Sequence, residues 1–448
     1  MRSQQFHITE NKSKIFGGKM KKCIFLILIA FSFYVYGQTL PDKLPDQAEL
    51  AEYRSHFLGL DSLMQNEMIR TDSVTGLQYL CPADIYKGIY DWDQYFQAIV
   101  QIYMGWPSKY IKDGVLIFLD HEKESGFTAR DVPSSKWESV EQAKPFLAQI
   151  CYLIYKAYGE KNWILKEPYF TKLKKYIDYW LNEMTIKKDG LSVWMSAPHT
   201  GMDDQVERAG YWEDRQCEGV DLNCYLVRET LAFSRLGNLA GKEKMAEKYA
   251  KISEERKQAI RKLLWDNKDG FFYDRKVDPN KPLSKMVWEY SQLNNLSANQ
   301  YKIPVKSVES FAVLWAKVAT PEQAKRMIVE HLFNPREFWT PYPISALAKS
   351  EPWYSTKELP ADMGCNWRAA TWINTNYMVY HGLKFYGYNI LATIVAQRTK
   401  ELIDKSGNRE YFNSETGEGE GANTYGWTLL GHFFALEEKL TWDINDIK

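Results

Sequence analysis

The chain has 448 residues, which is enough for one large domain or two to three average ones. Its 45% of hydrophobic and 25% of charged residues exclude a disordered, collagen-like or low-complexity protein. The 57 basic residues balance the 57 acidic ones, so the sequence offers no basic surface for nucleic acid. Aromatic residues make up 15% of the chain, a share that suits either a wide core or a cleft that grips sugar rings.

The first 37 residues have the features of an N-terminal extension followed by an export signal. Lys21 and Lys22 precede an apolar run over 23–35, and Gly37 supplies a small residue for cleavage. The run is too short for a typical membrane span. We expect cleavage near Gly37 and an exported protein, periplasmic or extracellular, whose single domain covers 38–448. An uncleaved N-terminal anchor is the alternative.

From residue 46 onward the chain shows one persistent pattern, in which apolar residues recur at spacings of three and four. The predicted helices cover 46–70, 93–105, 108–122, 138–158, 166–185, 220–238, 241–265, 305–317, 321–332, 367–385, 388–405 and 426–438. No alternation of period two sustains a sheet. Twelve helices in consecutive pairs predict an all-α fold, an (α/α)6 toroid of six helical hairpins, since ring closure buries the apolar faces. An open solenoid competes, although no fixed repeat is visible.

Several connections between the predicted helices are too long to be simple links. They cover 79–93, 123–137, 187–219, 266–304, 333–366 and 406–425. Long loops in a compact domain are usually functional. In a ring of hairpins, alternate loops fall on the same face, so we expect them to meet at one funnel.

Cysteine and histidine residues give no sign of a metal centre. The seven histidines are scattered, and neither a His-Glu-x-x-His nor a Cys-x-x-Cys motif occurs. Beyond residue 37, the nearest cysteines are Cys217 and Cys224, which fit either one disulfide or two buried thiols. We therefore predict no metal and no cofactor, and leave a structural calcium ion open.

Four loop motifs combine acids and amides with aromatic residues, as sugar sites do. They cover 90–96, 197–204, 365–374 and 409–421. Asp203 and Asp204 are paired acids on a glycine-containing loop, where an apolar pocket would raise the pKa of one carboxyl, as a general acid requires. In 409–421 four acids alternate with glycines, and the spacing singles out none of them. Each motif alone is more typical of a helix cap, such as Asp93, or of a solvated turn.

Taken together and in order, six motifs resemble a clan of inverting (α/α)6 glycosidases that includes glycoside hydrolase family 63 and the trehalases. The similarity is greatest to short bacterial members related to mannosylglycerate hydrolase, and it extends from Trp92 to Trp427. The motifs are Trp92-Asp93-x-Tyr95-Phe96, Gly201-Met202-Asp203-Asp204, Val220-Asp221-Leu222-Asn223-x-Tyr225, Phe338-Trp339-Thr340-Pro341-Tyr342-Pro343, Asn366-Trp367-Arg368-x-x-Thr371-Trp372, and Glu410-Tyr411-Phe412 with Thr416-Gly417.

The resemblance implies an inverting, exo-acting hydrolase of α-glucosyl or α-mannosyl bonds, with Asp203 as general acid and Glu410 as general base. The substrate partner is then a small glycoside or oligosaccharide. The residues that match substrate-binding positions are Trp92, Asp93, Tyr95, Phe96, Trp339, Tyr342, Asn366, Trp367, Arg368 and Trp427. A non-catalytic carbohydrate-binding toroid and a trehalase-like hydrolase of α,α-trehalose are the alternatives. Lys144 departs from the family pattern, and fits either an acidic aglycone such as glycerate or a surface lysine.

Overall fold

Helices dominate the structure, a computed structural model that describes residues 51, 54–55, 57–133, 141–210, 217–278, 302–357, 365–438 and 443–447. The extension and export signal expected over 1–37 lie outside the described residues. In chain order the helices are α1 (Leu58–Leu63), α2 (Asp91–Met104), α3 (Lys109–Asp120), α4 (Leu147–Tyr158), α5 (Tyr169–Asn182), α6 (Val220–Leu239), α7 (Glu243–Leu263), α8 (Ala312–Trp315), α9 (Pro321–Arg326), α10 (Ile373–Phe385), α11 (Asn389–Ser406) and α12 (Leu430–Glu437).

Shorter helical turns extend or link these helices. Wider π turns continue α1 and α9 over Met64–Met68 and Met327–Leu332. Tighter 3-10 turns lead into α8 and α12 over Val308–Phe311 and Gly426–Leu429. Isolated single turns within loops are Asn162–Leu165, Ala197–Thr200 and Val206–Ala209.

The even-numbered helices form a closed inner ring. Helix α2 packs on α4, α4 on α6, α6 on α8, α8 on α10, α10 on α12, and α12 returns to α2. Helices α3, α5, α7 and α11 lie outside this ring, and each packs against inner helices. The predicted all-α toroid is therefore confirmed, because the ring closes on itself and does not remain an open stack.

Aromatic side chains fill the interior of the ring. Phe146 lies 5.0 Å from Tyr95 and 4.9 Å from Tyr225 between ring centroids. Trp315 packs on the edge of Tyr95 at 5.9 Å. All four are buried, and aromatic side chains of this kind each remove about 150–250 Å² from water. Part of the aromatic excess in the sequence thus belongs to a wide core.

The segment 443–447 covers the end of the ring where the inner helices stop. The side-chain oxygen of Asn445 accepts a hydrogen bond from the Tyr95 hydroxyl at 3.0 Å, and its amide donates to the Tyr377 hydroxyl at 2.9 Å. Lys156, near the end of α4, donates to backbone carbonyls of the segment, and Lys317, beyond α8, pairs with Asp446. The loops that precede the inner helices therefore lie at the other end of the ring.

Short strand pairs in the loops were not expected from the sequence. The strands are β1 (Ile69–Thr71), β2 (Gln78–Leu80), β3 (Ile89–Tyr90), β4 (Asp131–Val132), β5 (Thr185–Ile186), β6 (Leu191–Ser192), β7 (Cys217–Glu218), β8 (Trp265–Asp266), β9 (Phe271–Phe272), β10 (Arg275–Lys276), β11 (Ala370–Thr371), β12 (Tyr411–Asn413) and β13 (Gly419–Glu420). All pairs are antiparallel, and β12 pairs with both β11 and β13. Strands of two or three residues are too short to show a recognisable alternation of apolar and polar residues.

Two predicted helix boundaries are wrong for local reasons. In the described part of the block 138–158, the helix begins only at Leu147, because Pro145 disfavours a helical conformation in the residue before it. The block 367–385 begins only at Ile373, because β11 pairs with β12 just before it. Cys217 and Cys224 are buried free thiols, as one of the two interpretations had it. None of the described helices combines the length and apolar character that spanning a bilayer requires.

A buried carboxylate connects two inner helices and supplies a test of the ring. Glu229 on α6 accepts hydrogen bonds from the backbone amides of Ala148 and Gln149, at 2.6 and 3.1 Å, in the first turn of α4. These amides have no partner within their own helix. We expect Glu229→Ala to lower the free energy of unfolding by about 2–4 kcal/mol, because it leaves two buried donors unpaired.

Urea unfolding followed by circular dichroism measures this loss. Glu254→Ala, an exposed position on α7, is the control and should change the free energy by less than about 0.5 kcal/mol. Equal unfolding midpoints for the two variants would show that the contact between α6 and α4 contributes nothing.

Candidate active site

Glu410 is a buried carboxylate held by donors from three other segments. Its Oε1 accepts from the Tyr86 hydroxyl at 2.9 Å and from the Cys365 thiol at 3.5 Å. Its Oε2 accepts from the backbone amide of Ala422 at 2.9 Å. Burial raises the pKa of Glu410, and the negative charge of Asp203 adds to this, while the hydrogen bonds act in the opposite direction.

The backbone around Glu410 fixes the position of its carboxylate. Glu410 directly precedes β12, whose pairing with β11 brings the loop 365–369 alongside. Gly421 has a φ of +67°, and a Cβ there would lie 2.5 Å from Oε2 of Glu410. Glycine is needed at this turn both for its left-handed conformation and for the space that the carboxylate occupies.

Asp203 reaches the same place from the middle of the chain. Ser196 caps the single turn Ala197–Thr200, and Gly201 ends it with a φ of +83°. A Cβ on Gly201 would lie 2.6 Å from the indole of Trp92, so this glycine lets the loop press against the aromatic ring. Asp203 follows, half-buried, and its Oδ2 accepts from the backbone amide of Cys365 at 3.4 Å.

Cys365 therefore touches both candidate acids, one through its thiol and one through its amide. Because both contacts are made by one residue, the carboxyl oxygens of Asp203 and Glu410 lie within about 11 Å of each other. Asp203 and Glu410 are far apart in sequence but share one site. Desolvation and the two negative charges raise the pKa of the Cys365 thiol well above its usual value, so the thiol is a neutral donor.

Asp204, and not Asp203, is the buried member of the acid pair. Its Oδ1 accepts from the backbone amide of Trp367 at 2.9 Å, and its carbonyl accepts from Nε of Arg368 at 3.1 Å. Arg368 also pairs with Glu207 at 3.2 Å. Burial raises the pKa of Asp204 to about 7. From the sequence we expected a buried carboxyl with a raised pKa to be the general acid. Here the buried carboxyl is Asp204, which anchors the 365–368 loop.

Asp93 is a further buried acid, in the first turn of α2. The Tyr425 hydroxyl donates to its Oδ1 at 2.7 Å. Burial, with the charges of Asp91 and Glu410, raises the pKa of Asp93 to about 7. The helix starts at Asp91, so the interpretation of Asp93 as the helix cap is wrong.

Lys144 lies beneath this site and is not a surface lysine. Its side chain is 1% exposed and pairs with Asp91 at 3.2 Å, with the ammonium 4.8 Å from the ring centre of Trp92. The backbone amide of Lys144 also donates to Asp91 at 2.7 Å. This ion pair holds the loop before α4 against the start of α2.

Indole rings form one wall beside the carboxylates. Trp92 lies 5.6 Å from Trp367 and 5.4 Å from Trp427 between centroids. Trp372 stacks on Trp367 at 3.8 Å with nearly parallel planes. The indole nitrogen of Trp427 is buried and has no hydrogen-bond partner among the described residues. Flat rings with an unused donor suit the apolar face and the hydroxyls of a sugar.

Other residues predicted to bind substrate have side chains engaged elsewhere. Tyr95 belongs to the aromatic core described above, and Phe96 packs on the edge of Trp427 at 6.1 Å, behind the wall. The side-chain oxygen of Asn366 accepts from the backbone amides of Arg368 and Ala369, at 2.9 and 3.1 Å. Its amide reaches the carbonyls of the preceding segment.

The last two predicted positions lie on the 333–366 connection. Trp339 packs on Phe333 with centroids 4.3 Å apart. Tyr342 lies under the ammonium of Lys405, 4.5 Å from its ring centre, and against Gly417 of the β12–β13 turn. The contacts of Trp339 lie within this connection, and those of Tyr342 join it to α11 and to the β12–β13 turn.

Sequence reasoning missed Tyr86, Cys365 and Tyr425. Each directs a donor at an acid of the site. All three lie in loops that the sequence marked as long, and Cys365 also opens the motif 365–374, but neither signal indicated a donor to an acid. The described residues contain no group of three or more His, Cys, Asp or Glu side chains arranged to hold a metal ion.

The family model for the mannosylglycerate hydrolase MGH1-like glycoside hydrolase domain matches residues 86–428. The chain belongs to this glycoside hydrolase family. A mannosylglycerate hydrolase from Thermus thermophilus is 26% identical over 168 residues, which are 37% of this chain and 33% of the relative. The aligned part thus spans about a third of that relative's length.

Solved structures of this family and of trehalases share the fold. A family 63 mannosylglycerate hydrolase of known structure, also from Thermus thermophilus, aligns over 87% of this chain and 100% of its own, with a TM-score of 0.61 and 17% identity. A neutral trehalase from Saccharomyces cerevisiae aligns over 89% of this chain and 80% of its own, with a TM-score of 0.57 and 16% identity. The (α/α)6 toroid of this glycoside hydrolase is therefore common to both groups.

Gly421 provides a test of how Glu410 is held. We expect Gly421→Ala to lower glycosidase turnover at least about tenfold, because its methyl group displaces the Glu410 carboxylate. The control is Gly387→Ala, since Gly387 has a φ of +79° and open space around its Cβ position.

Both variants should lose about 1–2 kcal/mol of stability, the cost of a side chain in the left-handed region. Only Gly421→Ala should lose turnover. Equal turnover in the two purified variants would contradict the proposed steric control of Glu410.

Proposed function

We propose that this chain is an inverting, exo-acting α-glycoside hydrolase that cleaves an α-mannosyl or α-glucosyl bond in a small glycoside. Asp203 is the general acid and Glu410 the general base. The observation that carries the proposal is that both carboxyls contact Cys365, beside one wall of indole rings. Inverting enzymes need their carboxyls roughly 6.5–9.5 Å apart to admit a water. The shared contact with Cys365 limits the distance between the carboxyl oxygens to about 11 Å, so such a separation is possible here.

In this mechanism Asp203 protonates the glycosidic oxygen as the bond breaks. Glu410 removes a proton from a water that attacks the opposite face of the sugar while positive charge develops on the ring. The hydrogen bonds from Tyr86 and Ala422 orient the Glu410 carboxylate before the substrate arrives. Asp93, Trp92 and Trp427 would bind the sugar at the site.

An exo action agrees with the shape of the ring. The segment 443–447 covers the end where the inner helices stop, and we infer that the carboxylates line a pocket that is open at the other end. A sugar ring can enter such a pocket by one terminus and present its aglycone to the funnel.

The ligands bound by a related enzyme of known structure indicate which substrates to consider first. The Thermus thermophilus enzyme of known structure has been crystallised with glucose, and with Tris and D-glycerate. We infer that glycosylglycerates are the first candidates here. Lys144 is not the residue that would recognise a glycerate carboxylate, because it is buried and already paired with Asp91.

A panel of substrates tests this proposal. Mannosylglycerate, glucosylglycerate, α,α-trehalose and other α-linked disaccharides are each incubated with the enzyme, and the released monosaccharide is measured. We expect release from at least one glycosylglycerate. Release from trehalose alone would establish the trehalase-like alternative, and saturable binding without release from any substrate would establish the non-catalytic one.

The N-terminal sequence is the basis for the proposed cellular location. We propose that the protein is exported and that the segment ending near Gly37 is removed. N-terminal sequencing of protein recovered from the periplasm or the medium tests this. A cell-associated protein that retains residues 1–37 would favour the uncleaved anchor.

The two carboxylates can be tested against a neighbouring acid. Asp203→Asn and Glu410→Gln should each lower turnover by about 10²–10⁴ with the fold intact, since each removes one proton-transfer group. Asp204→Asn is the matched comparison, because Asp204 is adjacent to Asp203 and is hydrogen-bonded to Trp367.

Turnover is measured on each purified variant, with circular dichroism melting as the check of folding. Asp204→Asn should lose stability more than turnover. A folded Asp203→Asn with ordinary turnover, beside an inactive Asp204→Asn, would transfer the role of acid to Asp204.

The hydrogen bond from Tyr86 makes a prediction about pH. Glu410 must be ionised to act as a base, so turnover falls as the pH drops through its raised pKa. The Tyr86 hydroxyl stabilises the ionised form. We therefore expect Tyr86→Phe to raise this pKa further and to move the acidic limb of the kcat/KM profile to higher pH.

Tyr388→Phe, which changes a tyrosine at the start of α11, should leave the limb in place. A loss of rate in Tyr86→Phe that is equal at every pH would show that Tyr86 does not act through Glu410.

A further inference from the structure

A cleft of about 510 Å³ lies on the outside of the ring, away from the carboxylates described above. Its walls are the end of α5, the middle of α7 and the β5–β6 hairpin. No residue that lines it is among those that contact Asp203 or Glu410. This volume is within the range of small-molecule sites.

Arg256 lies in the wall of the cleft and is 4% exposed. Its Nη1 donates to neutral acceptors, Oγ of Ser192 at 3.1 Å and the side-chain oxygen of Asn223. Its Nε is buried and has no acceptor among the described residues. No carboxylate in the described part of the chain pairs with it. Burial lowers the pKa of Arg256 to about 10, so it is still a cation at neutral pH.

Arg208 shows how this protein otherwise treats a buried guanidinium. It is equally buried, and it pairs with the carboxylates of Asp221, Asp274 and Glu309 at 2.6, 2.5 and 3.2 Å. A buried cation without a counter-charge is costly. Arg256, unlike Arg208, is thus a buried cation at the edge of a cleft with no described carboxylate to balance its charge.

Further lysines surround the cleft. Lys187 and Lys248 line it, and neither forms an ion pair with any described carboxylate. Lys188 approaches Asp189 only at 4.0 Å. These cations add to the charge of Arg256 at the mouth and make the cleft attractive to anions.

Each of the three acids that line the cleft has a cationic partner outside it, although Arg275 is shared with Glu218. Asp178 pairs with Lys174, Asp189 with Arg275, and Glu255 with Lys251. None of the three partner cations lines the cleft. The electrostatic balance of the cleft is therefore positive, although acids and bases are both present in its walls.

We propose that this cleft binds the phosphate or sulfate group of a small molecule, with the Arg256 guanidinium as its anchor and Lys187 and Lys248 at its mouth. Guanidinium groups match the geometry of such oxyanions through paired hydrogen bonds. The volume exceeds that of a free ion, so the group belongs to an ester with a small organic part. Binding here does not depend on the proposed hydrolysis, because the two sites share no residue.

Isothermal titration calorimetry on the full chain tests the proposal. The probes are inorganic phosphate, inorganic sulfate and glycerol 3-phosphate, at constant ionic strength set with sodium chloride. We expect saturable binding, with glycerol 3-phosphate tighter than either free ion. Tighter binding of a free ion would identify the ion itself as the ligand, and no saturation with any probe would overturn the proposal.

Variants connect the binding to this cleft. Lys248→Ala should weaken binding by up to roughly fivefold, the effect of losing one exposed charge. Lys257→Ala, on the same helix and paired with Glu254, changes a pair of which neither residue lines the cleft, so it should leave binding unchanged. Arg256→Gln should weaken binding at least about tenfold, and its melting curve shows whether it folds.

If Lys257→Ala weakens binding as much as Lys248→Ala, the anion is attracted by the general charge of α7 and the assignment is wrong. If Arg256→Gln proves unfolded, the comparison of Lys248→Ala with Lys257→Ala decides the question alone.

Discussion

Closure of the inner ring is the constraint on which the site depends. Because the outer helices α3, α5, α7 and α11 return the chain after α2, α4, α6 and α10, these inner helices run in the same direction. The loops before the inner helices therefore gather at one end. Hydrogen bonds there join those loops around the ring. The contacting pairs are Asp91 with Lys144, Gln205 with Ser307, Gln205 with Trp367, Cys365 with Glu410, and Asp93 with Tyr425. The carboxylates meet because the ring closes, although they are distant in sequence.

The site concentrates negative charge in a buried place, at a cost to stability. Burial raises the pKa values of Asp93, Asp204 and Glu410, and neighbouring acids add to each shift. The protein offsets this with neutral donors, such as the hydroxyls of Tyr86 and Tyr425, and not with a cation on each acid. Acids that keep their ability to exchange protons are useful for acid–base catalysis, whereas a full ion pair would hold them ionised.

Much of the fold could be predicted from the sequence, because amphipathic helices leave a repeated trace in the chain. The starts of α4 and α10 could not, since a proline and a strand pairing with β12 override that trace locally. For the site, ordered motifs pointed to Asp203 and Glu410. Cys365 opens the motif 365–374, but nothing in that motif showed that it touches both acids. A contact made by a backbone amide or a thiol leaves no signature in residue spacing. The burial of Lys144 was equally invisible, because it depends on Asp91 from another loop.

In the proposed mechanism, Asp203 and Glu410 act across one sugar ring, Asp203 as acid and Glu410 as base towards a water. The most direct measurement is proton NMR of the sugar released from an α-glycoside substrate, recorded in the first minutes, before the anomers equilibrate. We expect the β-anomer to appear first, since water attacks the face opposite the leaving group. First appearance of the α-anomer would mean a retaining mechanism through a covalent intermediate, and would contradict the role given to Glu410.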